Sequence, residues 1–254
     1  MGLNYEKRDK IAYITIDRPH VMNAMNREVF NDLADAINEV DQDPDVWVAI
    51  VSGAGDKAFS SGADLKEYIN RELEDPGQPY SMYKFYDQIP SVKPFIAAIN
   101  GYCLAGGLEL ALSCDNRIAS DNASFGCPEV RWGVMHGYGA LRLPKIIAMA
   151  DAMEMLLTGE FIDAQKALRI GLVSKVVKQD ELIASAEAIA SRICENAPLS
   201  VRVTKQLAYR GFNMPHNEGV HLVHTLMSAL YDSEDSKEGP KAFAEKRKPK
   251  YQAR

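Results

Sequence analysis

The run Cys103 to Asp115, CLAGGLELALSCD, sets a carboxylate, Glu109, among Leu108, Leu110, Ala111 and Leu112. Burying such a charge is costly unless it is paired or hydrogen-bonded, so its place there needs a reason. Gly106 and Gly107 stand just before it, and glycine lets backbone come close to a ligand. At the start of a helix their N–H groups lack intrahelical acceptors and favour a negative partner. A carboxylate base and donors for an oxyanion would therefore lie within one turn. A second carboxylate, Glu129, follows in Gly126-Cys127-Pro128-Glu129-Val130. Two acids, one taking a proton and one giving it, are what water addition to an activated double bond requires. The bland alternatives are a helix-dipole glutamate at 109 and a solvated loop carboxylate at 129.

Elements must hold these groups. Ile11, Tyr13 and Thr15 alternate with Ala12, Ile14 and Ile16, which predicts a strand ending at Arg18-Pro19. Asn26 to Val40 reads as an amphipathic helix with Val29, Phe30, Leu33, Ala36, Ile37 and Val40 on one face. Val46 to Val51 and Lys93 to Asn100 are apolar runs of strand length, as of strands covered on both faces. Arg117 to Ala119 and Leu172 to Val177 suggest further short strands. Strands alternating with helices point to an α/β fold with parallel pairing. Phe59 to Glu67, FSSGADLKE, places small residues after the strand at Val46 and before a helix near Asp64, where α/β sheets bind ligands. From about Asp180 to Tyr231 the pattern is helical, and Ser233 to Arg254 is rich in Lys, Glu and Pro. We expect a catalytic core over residues 1–198 and a helical appendage over 199–254.

A net charge of −6 argues against a non-specific nucleic-acid or anionic-membrane surface. No apolar run nears the roughly 18 residues that span a bilayer. The start lacks a secretory signal, and Glu6 breaks the myristoylation pattern. Four scattered cysteines suggest reduced thiols and a cytoplasmic location. The five histidines show no metal-ligand arrangement, and no serine lies in a G-x-S-x-G context. Gly53 to Ala58 satisfies G-x-G-x-x-A after a strand, so a nicotinamide-dependent oxidoreductase is a rival; it requires a helix to open at once.

With FSSGADLKE, AAINGYCLAGGLELALSCD, ASFGCPEVRWGV and MLLTGEFIDAQKALRIGLVSKVV in one order, the chain resembles the crotonase (enoyl-CoA hydratase/isomerase) superfamily. The resemblance covers essentially the whole length, from Ile16-Asp17-Arg18-Pro19 to the AFAEKR tail, and that tail is similar to the carnitinyl-CoA dehydratase branch. It implies a crotonase-like spiral of ββα units with a helical C-terminal trimerisation region, the trimers often paired into hexamers. It also implies reversible syn hydration of a 2-enoyl-CoA, as in fatty acid metabolism, with no metal and no cofactor apart from the coenzyme A of the substrate.

By this resemblance the backbone N–H groups of Ala63 and Gly106 hold the thioester oxygen, Glu109 activates water and Glu129 delivers a proton to C2. Ala24, Ala63, Asp64, Leu65, Lys66 and Lys246 would bind the CoA portion. His136, Tyr138 and Trp132 would border the acyl pocket. Relatives carry a Pro-Asp/Gly-x-Gly-Gly turn after the second glutamate. Here Met135-His136-Gly137-Tyr138-Gly139-Ala140 is one residue shorter and bulkier, which suggests a polar or cyclic acyl group. A Δ3-Δ2 enoyl-CoA isomerase using Glu129 alone and a non-catalytic acyl-CoA-binding subunit remain as alternatives.

Overall fold

The protein is described as a computed structural model covering residues 2–67 and 91–254. Strand β1 (Leu3–Arg8) pairs antiparallel with β2 (Ile11–Ile16) across a turn in which Asp9 has φ 52°. Helix α1 (Arg27–Gln42) starts at Asn26, whose side-chain oxygen accepts from Val29 N at 3.0 Å. That bond satisfies one of the first-turn donors a helix leaves unpaired. Its buried residues are Val29, Phe30, Leu33, Ala36, Ile37 and Val40, the face the 3.6-residue period predicts. Covering one such large side chain stabilises the fold by about 2 kcal/mol.

Strands β3 (Val48–Gly53), β5 (Phe95–Ile99), β7 (Asn116–Ser120) and β10 (Lys175–Val177) complete a six-stranded sheet in the order β1-β2-β3-β5-β7-β10. From β2 onward every pairing is parallel, as expected for apolar runs covered on both faces. A second sheet, not anticipated from sequence, joins β4 (Ala58–Ser60), β6 (Tyr102–Leu104), β8 (Ser124–Gly126) and β9 (Ile162–Asp163). Three main-sheet strands are each followed by a short strand of the second sheet: β3 by β4, β5 by β6, β7 by β8. Helices α2 (Gly106–Ser113) and α3 (Gly137–Arg142) follow the last two pairs, so the ββα turns implied by the family resemblance are present. The helix required by the G-x-G-x-x-A pattern at Gly53 does not follow; strand β4 does, which removes the nicotinamide reading.

Helices α4 (Met149–Thr158) and α5 (Ala164–Arg169) close the large core between the two sheets. Helix α6 (Leu182–Cys194) covers the opposite face of the main sheet, with Leu182, Ala186 and Ala190 against Val48, Ile50, Ile96, Ala98 and Ile118. Neither core cluster has a buried member beyond Ala190. Helix α7 (Pro198–Gly211) buries only Pro198, and α8 (His216–Tyr231) buries no residue. The chain end folds back on α9 (Glu234–Ala244), where buried Asp235 accepts from Gln252 N at 2.7 Å and Ala253 N at 2.9 Å. No helix among the described residues is long and apolar enough to cross a membrane.

Candidate active site

The segment after α1's N-cap runs beside the loop after β4. Met25 N donates to Gly62 O at 2.7 Å and Asp64 N to Met25 O at 2.9 Å, making a parallel bridge between Met25 and Ala63. In that geometry the N–H of Ala63 itself points to the other side and donates to no described residue. It meets the start of α2 there. A Cβ built on Gly106 would lie 3.7 Å from Ala63 N, and one built on Gly62 would lie 3.0 Å from Gly106 N and 2.7 Å from Ala105 Cβ. With its φ of 96° as well, position 62 admits glycine alone. Ala105, just before the helix, has φ 52° and ψ −130°, a strained conformation of about 1–3 kcal/mol. Its N–H is held by Gly126 O at 3.0 Å and its carbonyl by Glu109 N at 3.1 Å. Gly106 N, on the first residue of the helix, lies close to the Gly62-Ala63 segment. Neither amide has an acceptor among the described residues, and the two stand near each other.

Glu109 sits on the first turn of α2 and is 2% exposed. Its Oε1 accepts from Gly139 N at 2.9 Å. Glu129 lies on the short 3-10 turn Pro128–Trp132, and its Oε1 is hydrogen-bonded to His136 Nδ1. The same Nδ1 is 3.8 Å from Glu109 Oε1. The two carboxylates therefore face one space, although β7 and β8 lie between them in the chain. Glu129 Oε2 and His136 Nε2 are buried without a partner among the described residues.

Burial pushes the Glu109 carboxyl above its ordinary range; His136 and the N–H of Gly139 pull it back, Glu129 adds to the rise, and the N–H of Tyr138 again opposes it. For His136 burial disfavours the cation, but the Cys127 thiol and the Glu129 carboxylate outweigh it and hold the imidazole at about 10.

The other expected residues fall into separate groups. Ala24 is buried, and its carbonyl accepts from Arg18 Nη1 at 2.6 Å; the same guanidinium nitrogen pairs with Asp64 at 3.2 Å. Arg18, to which sequence reasoning gave no role, ties these two positions together. Asn23 fixes the same loop from inside, donating to Ala54 O at 3.0 Å and Ala58 O at 2.6 Å. Leu65 and Lys66 are exposed and helical, at the place where the sequence predicts a helix near Asp64. Lys246 is exposed in the tail with φ 54°, and its N–H makes a local bond to Phe243 O at 3.2 Å. Tyr138 is half-buried at the start of α3, and Trp132 is 75% exposed. His136 departs from the expected place on an acyl-pocket wall: its ring is 2% exposed, committed to Glu129, and packed so tightly on Gly139 that a Cβ there would lie 1.9 Å from Nε2. Gly139, which holds Glu109, was also missed. A glycine pair spaced two apart in a loop is the only cue sequence offered.

The profile of the Enoyl-CoA hydratase/isomerase family matches residues 6–254. Among curated proteins the chain is 44% identical to an (E)-benzylidenesuccinyl-CoA hydratase of Thauera aromatica, covering 99% of each chain. It is 38% identical to a carnitinyl-CoA dehydratase of Citrobacter koseri, covering 100% of this chain and 99% of that one. Among solved structures, an enoyl-CoA hydratase from Mycobacterium marinum superposes with a TM-score of 0.92 at 36% identity, over 100% of this chain and 99% of the other. The converged glutamates, the paired free amides and a match over nearly the full length agree: this chain belongs to the enoyl-CoA hydratase/isomerase family.

Proposed function

We propose that the protein is an enoyl-CoA hydratase, a hydro-lyase that adds water reversibly across the double bond of a 2-enoyl-CoA. The carrying observation is the approach of Glu109 and Glu129 to the same imidazole nitrogen, with two amides that have no acceptor among the described residues built into the loop and helix beside them. In this reading the thioester oxygen lies between Ala63 N–H and Gly106 N–H. Those donors stabilise the enolate that forms as C3 is attacked, worth about 3 kcal/mol per donor in comparable sites. Glu109 and Glu129 hold one water between them; its oxygen bonds to C3, one of its protons reaches C2 through Glu129, and the other stays on the new hydroxyl. Atoms and charge balance with no metal or redox partner.

For the CoA portion we assign Ala24, Asp64, Leu65 and Lys66 near the amides and Lys246 in the tail. The acyl group is proposed to be polar or cyclic, because Tyr138 adds bulk to the loop after Glu129 and one relative is named for a benzylidenesuccinyl substrate. Residues 1–198 are proposed as the catalytic core and 199–254 as an oligomerisation region, in a cytoplasmic homotrimer or hexamer. Apolar side chains left outside the core support this: Phe212 is 65% and Tyr231 62% exposed on and beside helices that bury almost nothing.

The test is loss of enoyl-thioester absorbance with crotonyl-CoA, cinnamoyl-CoA and benzylidenesuccinyl-CoA. Wild type should hydrate at least one, and Glu109→Gln and Glu129→Gln should each lower kcat by about 10²- to 10⁴-fold. Hydration that survives Glu109→Gln, or isomerisation of a 3-enoyl-CoA at a rate indifferent to it, would replace this reading with the isomerase.

A further inference from the structure

We infer that His136 is a positioning residue of this site, a cationic imidazole set between Glu109 and Glu129 that fixes the Glu129 carboxylate and offsets the charge of the facing pair. Three features of the geometry carry the assignment. The Nδ1 atom serves both acids, bonded to Glu129 Oε1 and 3.8 Å from Glu109 Oε1. The ring is buried and fills the space where Gly139 has no Cβ, and the N–H of Gly139 donates to Glu109. One nitrogen thus engages one acid while the ring wedges against the clamp of the other. Finally, Glu129 Oε2 is left buried and without a partner among the described residues, so the bond to His136 leaves one oxygen of Glu129 available for substrate or water.

The position is an unfavourable one for a cation on general grounds. The ring is buried, and His136 is the residue just before α3, where a helix end repels positive charge. Only the acids around it can outweigh this. The titratable groups that face the ring are Glu109 from α2, Glu129 from the 3-10 turn and the Cys127 thiol that precedes that turn. Two carboxylates facing one space repel, and the repulsion pushes one of them to take up a proton as pH falls. A cation between them lowers the net charge of the cluster from −2 to −1 when both acids are ionised. The consequence for turnover rests on the hydratase reading; the charge state of the ring does not.

The experiment has two arms. In the first, kcat and KM for hydration are followed against pH for wild type, His136→Gln, Glu129→Gln and the double variant. Loss of the cation should lower kcat about 10- to 100-fold, leave KM within about threefold, and move the acid limb of kcat/KM toward neutral pH by about one unit. The double variant should be no worse than Glu129→Gln alone, since both changes remove one coupled unit. A His136→Gln profile parallel to wild type overturns the inference. In the second arm, the His136 imidazole is followed by NMR in substrate-free protein. Both nitrogens should stay protonated above pH 8 in wild type, and titration should fall toward that of an ordinary histidine in Glu129→Gln. Ordinary titration in both proteins overturns the inference. A wild type that hydrates no enoyl-CoA sinks the hydratase reading instead, and the NMR arm still decides the role of His136.

Discussion

Lys93 and Glu109 are each 2% exposed, yet the regions around them use a buried charge in opposite ways. Lys93 stands two residues before β5, and its Nζ donates to Val40 O at 2.6 Å and Asp43 O at 2.5 Å. Those carbonyls belong to the C-terminal end of α1, where a helix leaves its acceptors unpaired. The ammonium closes that end as a cap. Glu109 is held by the N–H groups of Gly139 and Tyr138 and shares the rest of its surroundings with a second acid and an imidazole, next to polar atoms without partners among the described residues. Burial moves both groups toward their neutral forms. Depth alone therefore does not separate a structural charge from a functional one. Unused hydrogen-bonding capacity beside it does.

The sharpest break of this contrast is at the amides, where capacity is unused by construction. Gly106→Ala should fold, because its Cβ would lie 3.5 Å from Met25 Cε and meet nothing closer. The same methyl would stand 3.7 Å from Ala63 N, in the space proposed for the thioester oxygen. Hydration should fall about 10²- to 10³-fold with the melting temperature nearly unchanged. A variant of normal activity would show that the oxygen binds elsewhere.

Much of this was legible in the sequence where local period decides structure. The face of α1 and the strands β2, β3 and β5 follow from apolar spacing alone, and Glu109 stood out because its neighbours are all apolar. Strand β1 was not legible, since LNYEKR is mostly charged or polar and its side chains stay at the edge of the sheet. The second sheet was hidden for a different reason: strands of two or three residues carry no period. Ala105 gave no sign of its left-handed backbone, because alanine rarely adopts one. The partnership of His136 with both glutamates depends on how α2, the 3-10 turn and α3 meet. No spacing rule reaches across that junction, and a pocket wall was the natural reading of a bulky residue there.

At the structural end of the comparison, Lys93→Met should cost stability and spare chemistry. Two hydrogen bonds from a charged donor are lost, about 2 kcal/mol in denaturant unfolding, with kcat within about twofold of wild type. The sign with pH is fixed. Burial, then the charge of Arg202, lowers Lys93 from the ordinary 10.5 to about 8. A folded value below the unfolded one gives stability that is present above about 10.5 and lost as pH falls through about 8. The gap between wild type and Lys93→Met should therefore be wider at pH 10 than at pH 7. A gap that narrows would mean that the folded protein favours the ammonium.

The smallest effect tests whether α1 couples the two regions, since Lys93 caps one of its ends and Asn26 the other, beside Met25 and its bridge to Ala63. Asn26→Ala removes the side-chain acceptor of Val29 N and should cost about 1 kcal/mol of stability. The bridge itself is made by main-chain atoms of Met25, Gly62 and Asp64, and Asn23 secures the adjoining loop with two further bonds. Ala63 should then keep its place, and kcat should stay within about threefold of wild type. A loss of hydration beyond about tenfold, at a stability cost near 1 kcal/mol, would instead show that the cap sets the spacing of the two amides. The helix would then be part of the catalytic frame, and the division between structural and functional ends of α1 would fail.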